Sequence, residues 1–286
     1  MRMDRRLRFG VSTLGGAWGL DEVADIAAAV GRRPDMVLWF EDFAAGPPVR
    51  EIGRVAATGA MPVITWEPWL WRTDRQRDAG ALVPQIVAGE HDAHLIAWAD
   101  ALAGTQSPVM IRLAHEFNGD WYPWSPAGGT APEVYADAWR HVHDLFRARG
   151  ADRVQWMWAP DAANSTDHAL EAWYPGDAYV DVIGIDGYNW GITQPWSRWM
   201  PPTEIFAPTL AAVRQIADKP VLMAEVGCAE AGGDKAHWIG EFIEWLTAED
   251  VAGFVWFDHD KETDWRIRST PRSAAAMAAA LSEVET

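Results

Sequence analysis

Cysteine is almost missing from this chain: Cys228 stands alone among 286 residues. An intrachain disulfide is thereby excluded, and since a core of this size needs no covalent staple, the redox compartment stays open. Long apolar runs are absent as well. No stretch approaches the roughly 18 residues that a membrane-spanning helix requires. Positive charge is scarce, with 24 Lys and Arg against 41 Asp and Glu and a formal net charge of -17. Such a surface repels phosphate and anionic lipid, so neither nucleic acid nor a membrane is expected as a partner. A neutral partner fits better. No Pro/Gly/Ser-rich linker, low-complexity tract or charge block divides residues 1–286, and one domain is the simplest reading. The N-terminal Met-Arg-Met-Asp-Arg-Arg runs straight into Phe9-Gly-Val without a hydrophobic signal segment. The expected address is therefore the cell interior, or the exterior if an export signal was removed.

What the chain does have is tryptophan, nineteen of them. Several fall near the ends of apolar runs or in the segments that follow: Trp39, Trp66, Trp69, Trp71, Trp121, Trp124, Trp158, Trp190 and Trp256. A flat, rigid ring with one polar N–H suits the apolar face of a pyranose and loses little entropy on contact. Core packing is the alternative for each ring. Their clustering at strand ends favours a sugar cleft.

Eight short apolar runs recur: Leu7 to Val11, Met36 to Phe40, Pro62 to Trp66, Val109 to Leu113, Val154 to Trp158, Val180 to Ile185, Pro220 to Ala224 and Gly253 to Phe257. Continuous apolarity, as opposed to alternation, marks parallel strands covered on both faces. Between them, Leu20 to Val30, His91 to Leu102, Pro132 to Arg149, Pro208 to Ala217 and Lys235 to Leu246 carry amphipathic helical patterns. This alternation predicts an α/β fold, a single (β/α)8 TIM barrel, for which 286 residues are enough. Trp190 to Pro208, with Pro195, Pro201 and Pro202, reads as a long loop after strand 6 of the kind that shapes a binding cleft.

Barrel enzymes place their chemistry where strands meet the following loops. Arg112-Leu-Ala-His115-Glu116-Phe-Asn118-Gly-Asp-Trp121 sets a carboxylic acid among aromatic and hydrogen-bonding groups just past strand 4. Glu225, in Val221-Leu-Met-Ala-Glu225-Val-Gly, closes strand 7. Alternate residues of a strand share a face, so Arg112, Ala114 and Glu116 form one set and Val221, Met223 and Glu225 another, and both glutamates can point to the barrel axis. Two such carboxyls suit a glycosidase. One protonates the leaving oxygen while the other attacks the anomeric carbon, with retention if they lie about 5 to 5.5 Å apart. Surroundings can give two such carboxyls unlike jobs: burial beside a second carboxylate keeps a proton on one, while donors such as Arg112 or the Tyr188 hydroxyl can keep another ionised. The competing reading of each glutamate is a buried structural ion pair, for instance with Arg112. For Arg112 and His115 it is a satisfied group behind the substrate contacts, and Asp186 and Asn189 are equally ambiguous.

The chain resembles glycoside hydrolase family 26 over nearly its whole length. The likeness rests on His115-Glu116-Phe-Asn118-Gly119-Asp-Trp121, on Tyr174-Pro-Gly-Asp177-Ala-Tyr-Val-Asp181 with Gly184-Ile-Asp186-Gly-Tyr188-Asn189, on Ala224-Glu225-Val-Gly227 and on Trp256-Phe257. The resemblance implies Glu116 as general acid then base and Glu225 as nucleophile, with His115 and Tyr188 positioning nucleophile and substrate, and Trp121 and Trp256 lining the subsite under attack. Trp66, Glu67, Arg112 and Asn189 complete the expected substrate-binding set. The activity expected is a retaining endo-β-glycanase acting on a neutral polysaccharide as a monomer, with no cofactor. Mannan is the first substrate the resemblance suggests, although Thr65-Trp66-Glu67-Pro68 departs from the mannanase pattern, which places a histidine near Glu67. The alternatives are a mixed-linkage β-1,3-1,4-glucanase, an enzyme trimming exopolysaccharide, or a glycan-binding barrel without turnover.

No metal is expected. His141-Val-His143 has ligand residue types, but positions two apart on a helix diverge, so these histidines read as surface. The acidic run Asp258-His-Asp260-Lys-Glu262-Thr-Asp264 lacks calcium-loop spacing and reads as a solvated loop. Strand 1, Arg8-Phe-Gly-Val-Ser12, offers no histidine to a zinc hydrolase.

Overall fold

The computed structural model describes residues 6–70, 82–163 and 166–284, so Trp71 lies outside the described residues. Eight parallel strands close into a barrel in chain order: β1 (Arg8–Thr13), β2 (Met36–Asp42), β3 (Met61–Glu67), β4 (Val109–Leu113), β5 (Val154–Trp158), β6 (Val182–Asn189), β7 (Val221–Cys228) and β8 (Gly253–Asp258). Strand β8 pairs with β1 along six residues, so no sheet edge remains. The helices are α1 (Leu20–Val30), α2 (Val49–Ala56), α3 (Leu82–Val87), α4 (Asp92–Ala103), α5 (Pro132–Ala148), α6 (Pro202–Ile216), α7 (Lys235–Ala248) and α8 (Pro271–Glu283). Among the described residues, α3 and α4 lie between β3 and β4, whereas 3-10 turns at Leu170–Trp173 and Asp177–Tyr179 lie between β5 and β6. No helix among the described residues is long and apolar enough to cross a membrane.

Two apolar layers explain why the strands read as unbroken hydrophobic runs. Inside the barrel, Met36, Leu38, Val63, Met110, Met157, Leu222 and Val255 fill the axis. Outside, the alternate residues of the same strands pack under the helices, as Val37, Ile64, Ile111 and Phe254 do. A strand buried on both faces has no polar positions to alternate. Gly184 faces this interior, where a Cβ would fall 2.8 Å from the Ala224 Cβ, so a larger residue would crowd the packing there.

The expected face-sharing fails on β7. Leu222 and Ala224 belong to the axial layer and Met223 to the outer one, so strict alternation would turn Glu225 outward. The register slips between Met223 and Val226 against β8, and between Ile185 and Asp186 against β6. This bulge brings Glu225 round to the barrel mouth behind Ala224, the re-aiming of a side chain that bulges provide.

The end of β4 is irregular in another way. Ala114 (φ 46) and Glu116 (φ 51) both occupy the left-handed region, which costs a non-glycine residue about 1–3 kcal/mol. The surroundings hold them there. Ala114 N–H donates to the Trp66 carbonyl (3.0 Å) and Glu116 N–H to the Ala159 carbonyl (2.7 Å). Tyr135 and Trp124 side chains donate to the carbonyls of Ala114 (3.1 Å) and His115 (2.6 Å).

The loop after β6 is shorter than the sequence suggested, because α6 starts at Pro202 and carries Pro208 inside it. Pro201 and Pro202 thus begin the helix, where proline's missing N–H costs nothing. Gly191 anchors the remaining loop at φ 54, with a Cβ position only 1.8 Å from the Ala231 carbonyl oxygen, a place open to glycine alone.

Candidate active site

Arg112 organises the mouth of the barrel from within. Its guanidinium, fully buried, donates to Thr65 Oγ1 (2.9 Å), to Asp186 Oδ2 (2.7 Å) and to Glu225 Oε1. The other oxygen of Glu225 accepts from the Tyr188 hydroxyl at 2.5 Å. Guanidinium and phenol between them occupy both oxygens of the carboxylate. The ion pair with Arg112 weighed as the alternative for Glu225 therefore exists, yet it does not seal the residue off. Glu225 lines an open cleft of about 710 Å³ together with Glu116, Trp121, Tyr122, Asp161, Tyr188, Trp190, Trp196, Phe257 and Trp265.

Glu116 sits in the opposite environment. No ion pair to it is recorded among the described residues, and one donor reaches it, Trp121 Nε1 at 2.7 Å from Oε2. Burial, and then the negative charges of Asp161, Asp186 and Glu225, push its carboxyl well above the usual range, against the weaker opposing effect of the Trp121 bond. The two glutamates thus face one cavity, one held by a guanidinium and a phenol and the other buried amid negative charge that raises its proton affinity. His115 lies behind them with Nε2 3.9 Å from Glu225 Oε1. Burial, and then the positive charges of Arg112 and Lys261, hold its imidazole well below the usual range, so it is neutral.

Four expected substrate contacts are placed elsewhere. Trp66 is fully buried and stacks on Trp98 at 4.1 Å between ring centroids, under the helices, because its position on β3 faces outward. Trp256 likewise points out of the barrel, donating Nε1 to the Trp265 carbonyl at 2.8 Å, and the β8 residue that reaches the cleft is its neighbour Phe257. Asn189 is buried, with Oδ1 accepting from Gly191 N–H (3.2 Å) and Met200 N–H (3.1 Å), so it fastens both ends of the β6–α6 loop and touches no cleft. Glu67 is buried at the end of β3, within electrostatic reach of Tyr122, and does not line the cleft.

The acidic loop after β8 is not simply solvated. Asp258 accepts from Ile267 N–H at 2.6 Å, and Arg266 pairs with Asp260 and Asp264. Of the two histidines read as surface, His141 bonds Asp92 at 2.6 Å, while His143 is buried against Trp156 and Tyr179. Ligand-type atoms of His115, Asp186 and Glu225 do lie within 4.8 Å of one another. Arg112 already bonds both carboxylates, so the counter-charge a cation would bring is in place.

Sequence reasoning missed Asp161, Tyr122, Trp196 and Trp265. Asp161 was within its reach, for it follows β5 by three residues, as Glu116 follows β4.

The sequence pattern of Glycosyl hydrolase family 26 matches residues 85–242, over half of the chain. The chain belongs to glycosyl hydrolase family 26. Among its curated relatives, Endoglucanase H of Acetivibrio thermocellus is 38% identical over 259 residues, covering 86% of this chain and 27% of that protein. A mannan endo-1,4-beta-mannosidase of Caldalkalibacillus mannanilyticus is 28% identical over 141 residues, covering 46% of this chain and 24% of that one. The chain thus spans about a quarter of the length of either relative. A solved family 26 β-mannanase from Bacteroides ovatus shares the fold with a TM-score of 0.70 at 20% identity, over 98% of this chain and 88% of that one.

Proposed function

We propose that this family 26 barrel is a single catalytic domain that hydrolyses a neutral β-linked polysaccharide, internally and with retention of configuration. Glu225 attacks the anomeric carbon while Glu116 protonates the departing glycosidic oxygen. Glu116, now a carboxylate, then takes a proton from water, and that water displaces Glu225 from the sugar. Arg112 and Tyr188 hold the nucleophile's two oxygens, leaving it one direction of attack. One observation carries the reading: two carboxyls, from the ends of β4 and β7, share a cleft in unlike surroundings, Glu225 bonded by a guanidinium and a phenol and Glu116 buried amid negative charge that raises its proton affinity.

Between backbones, β-glucan is favoured over mannan. The match to Endoglucanase H extends over 86% of the chain, whereas that to the mannosidase covers 46%. Glu67 also stands where the mannanase pattern has a histidine nearby. Mannan remains the second reading, supported by similarity to the mannosidases.

The test is to incubate the protein and its Glu225→Ala variant with barley mixed-linkage glucan, mannan and xylan, following new reducing ends and the anomer first released. The protein should release β-anomers, fastest from glucan, and the variant should release almost none while keeping its fold. Substantial turnover by the variant, or first release of the α-anomer, would refute the mechanism; faster release from mannan would reverse the order of substrates.

A further inference from the structure

Three other carboxyls act on Glu116, those of Asp161, Asp186 and Glu225, and Arg112 pairs with two of them, Asp186 and Glu225. Asp161 has no ion pair among the described residues. Its Oδ1 accepts from Ala163 N–H at 2.7 Å, and its remaining surface opens to the cleft. The backbone bearing it is tied to the backbone bearing Glu116. Asn118 Nδ2 donates to the Asp161 carbonyl (2.9 Å), Asp161 N–H donates back to Asn118 Oδ1 (2.8 Å), and Glu116 N–H donates to the Ala159 carbonyl (2.7 Å). Three hydrogen bonds therefore fix the distance between two acidic residues that would otherwise move apart.

We propose that Asp161 is a positioning residue that holds the proton on Glu116, its unneutralised charge being kept beside that carboxyl by the Asn118 clamp. This rests on the reading of Glu116 as acid and base and goes beyond it.

The other groups around Glu116 supply less of this effect or oppose it. On β4, Arg112 is attractive to a carboxylate and works against protonation, and His115 is neutral. In the loop after β4, Trp121 donates to Glu116 and favours its charged form, while Tyr122 keeps its own proton. On β6 and β7, Asp186 and Glu225 have their charge offset by Arg112, and Tyr188 keeps its proton. In the loop after β8, Lys261 and Glu262 pair with each other at 3.0 Å, and Glu67 on β3 is set back from the cleft. Asp161 is also the largest single charge effect raising Glu116. Its own carboxyl is pushed up to about 7, first by burial and then by Glu225. The two carboxyls titrate as a pair, and a charge formed on Asp161 opposes loss of the proton from Glu116.

The test is the pH profile of kcat/KM on glucan for the protein, Asp161→Asn and Asp161→Glu. Asparagine keeps the acceptor for Ala163 and removes the charge, so the alkaline limb should move down by about one pH unit, a tenfold loss at a fixed pH above the limb. At pH values well below the limb the loss should stay within several-fold, and glutamate should restore most of the limb. A uniform fall in activity with the limb in place, in either variant, would mean that Asp161 has a structural role only and would overturn the proposal. A Glu116→Ala control keeps the two readings apart: if it hydrolyses glucan with the parent alkaline limb, the acid assignment itself fails, whatever Asp161→Asn does.

Discussion

At the residue scale, the site gives two chemically equal side chains unlike surroundings by what each accepts. Glu225 receives a guanidinium and a phenol, and Glu116 receives one indole N–H amid burial and negative charge. If Glu116 delivers the proton, Glu116→Ala should depend on the leaving group. Hydrolysis of glucan, whose departing alkoxide needs protonation, should fall by about 100- to 10,000-fold. Bond cleavage in an aryl glycoside with an acidic phenol should fall far less, and added azide should speed turnover by replacing the water that Glu116 no longer activates. Steady-state rates on the two substrate classes measure this. Equal losses on both, with no response to azide, would count against the role.

At the element scale, the site depends on departures from regular structure: left-handed residues at the end of β4, a bulge in β7 and a pinned loop after β6. That loop carries Trp190 and Trp196, whose rings meet at 5.3 Å to form one wall of the cleft. Asn189→Ala would remove the shared acceptor for Gly191 and Met200 and leave two amides short of a partner, a loss of about 1–3 kcal/mol each when buried. The expected result is a several-fold higher KM for oligosaccharides long enough to reach the wall, with kcat on a short aryl glycoside nearly unchanged. Parallel loss on both substrates would show that Asn189 acts on the catalytic centre instead. The same departures mark where sequence reasoning stopped. The barrel was legible because eight doubly covered strands leave eight apolar runs, and Glu116 and Glu225 because a carboxyl at the end of such a run is conspicuous. Trp66 and Trp256 misled because a tryptophan on a doubly buried strand gives no sign of which face it takes. Face-sharing on β7 predicted the right direction for Glu225 by the wrong route, since a bulge of one residue leaves no trace in composition.

At the scale of the whole molecule, the barrel gives up stability to hold this cluster. Glu116 combines a left-handed backbone with a carboxyl whose proton affinity is raised by folding. A carboxyl raised in the folded state costs nothing below its unfolded value, about 4.3, where both states are protonated. As pH climbs from there toward the folded value, the unfolded chain releases its proton first, so stability drains away across that window and stays low above it. Glutamine in place of Glu116 has the same shape, can still accept from Trp121, and cannot ionise. Glu116→Gln should therefore be inactive on glucan yet more stable than the parent at pH 7, by about 1 kcal/mol, the scale seen when strained active-site groups are relieved. In a chain of 286 residues that corresponds to about 2 °C in Tm. The gain should shrink toward zero at pH 4, which separates relief of a titrating group from better packing, since packing would be felt equally at both pH values. Melting curves of both proteins at pH 4 and 7 decide it. A variant less stable at pH 7, or one equally stabilised at both, would mean that the carboxyls at the barrel mouth are no burden to the fold.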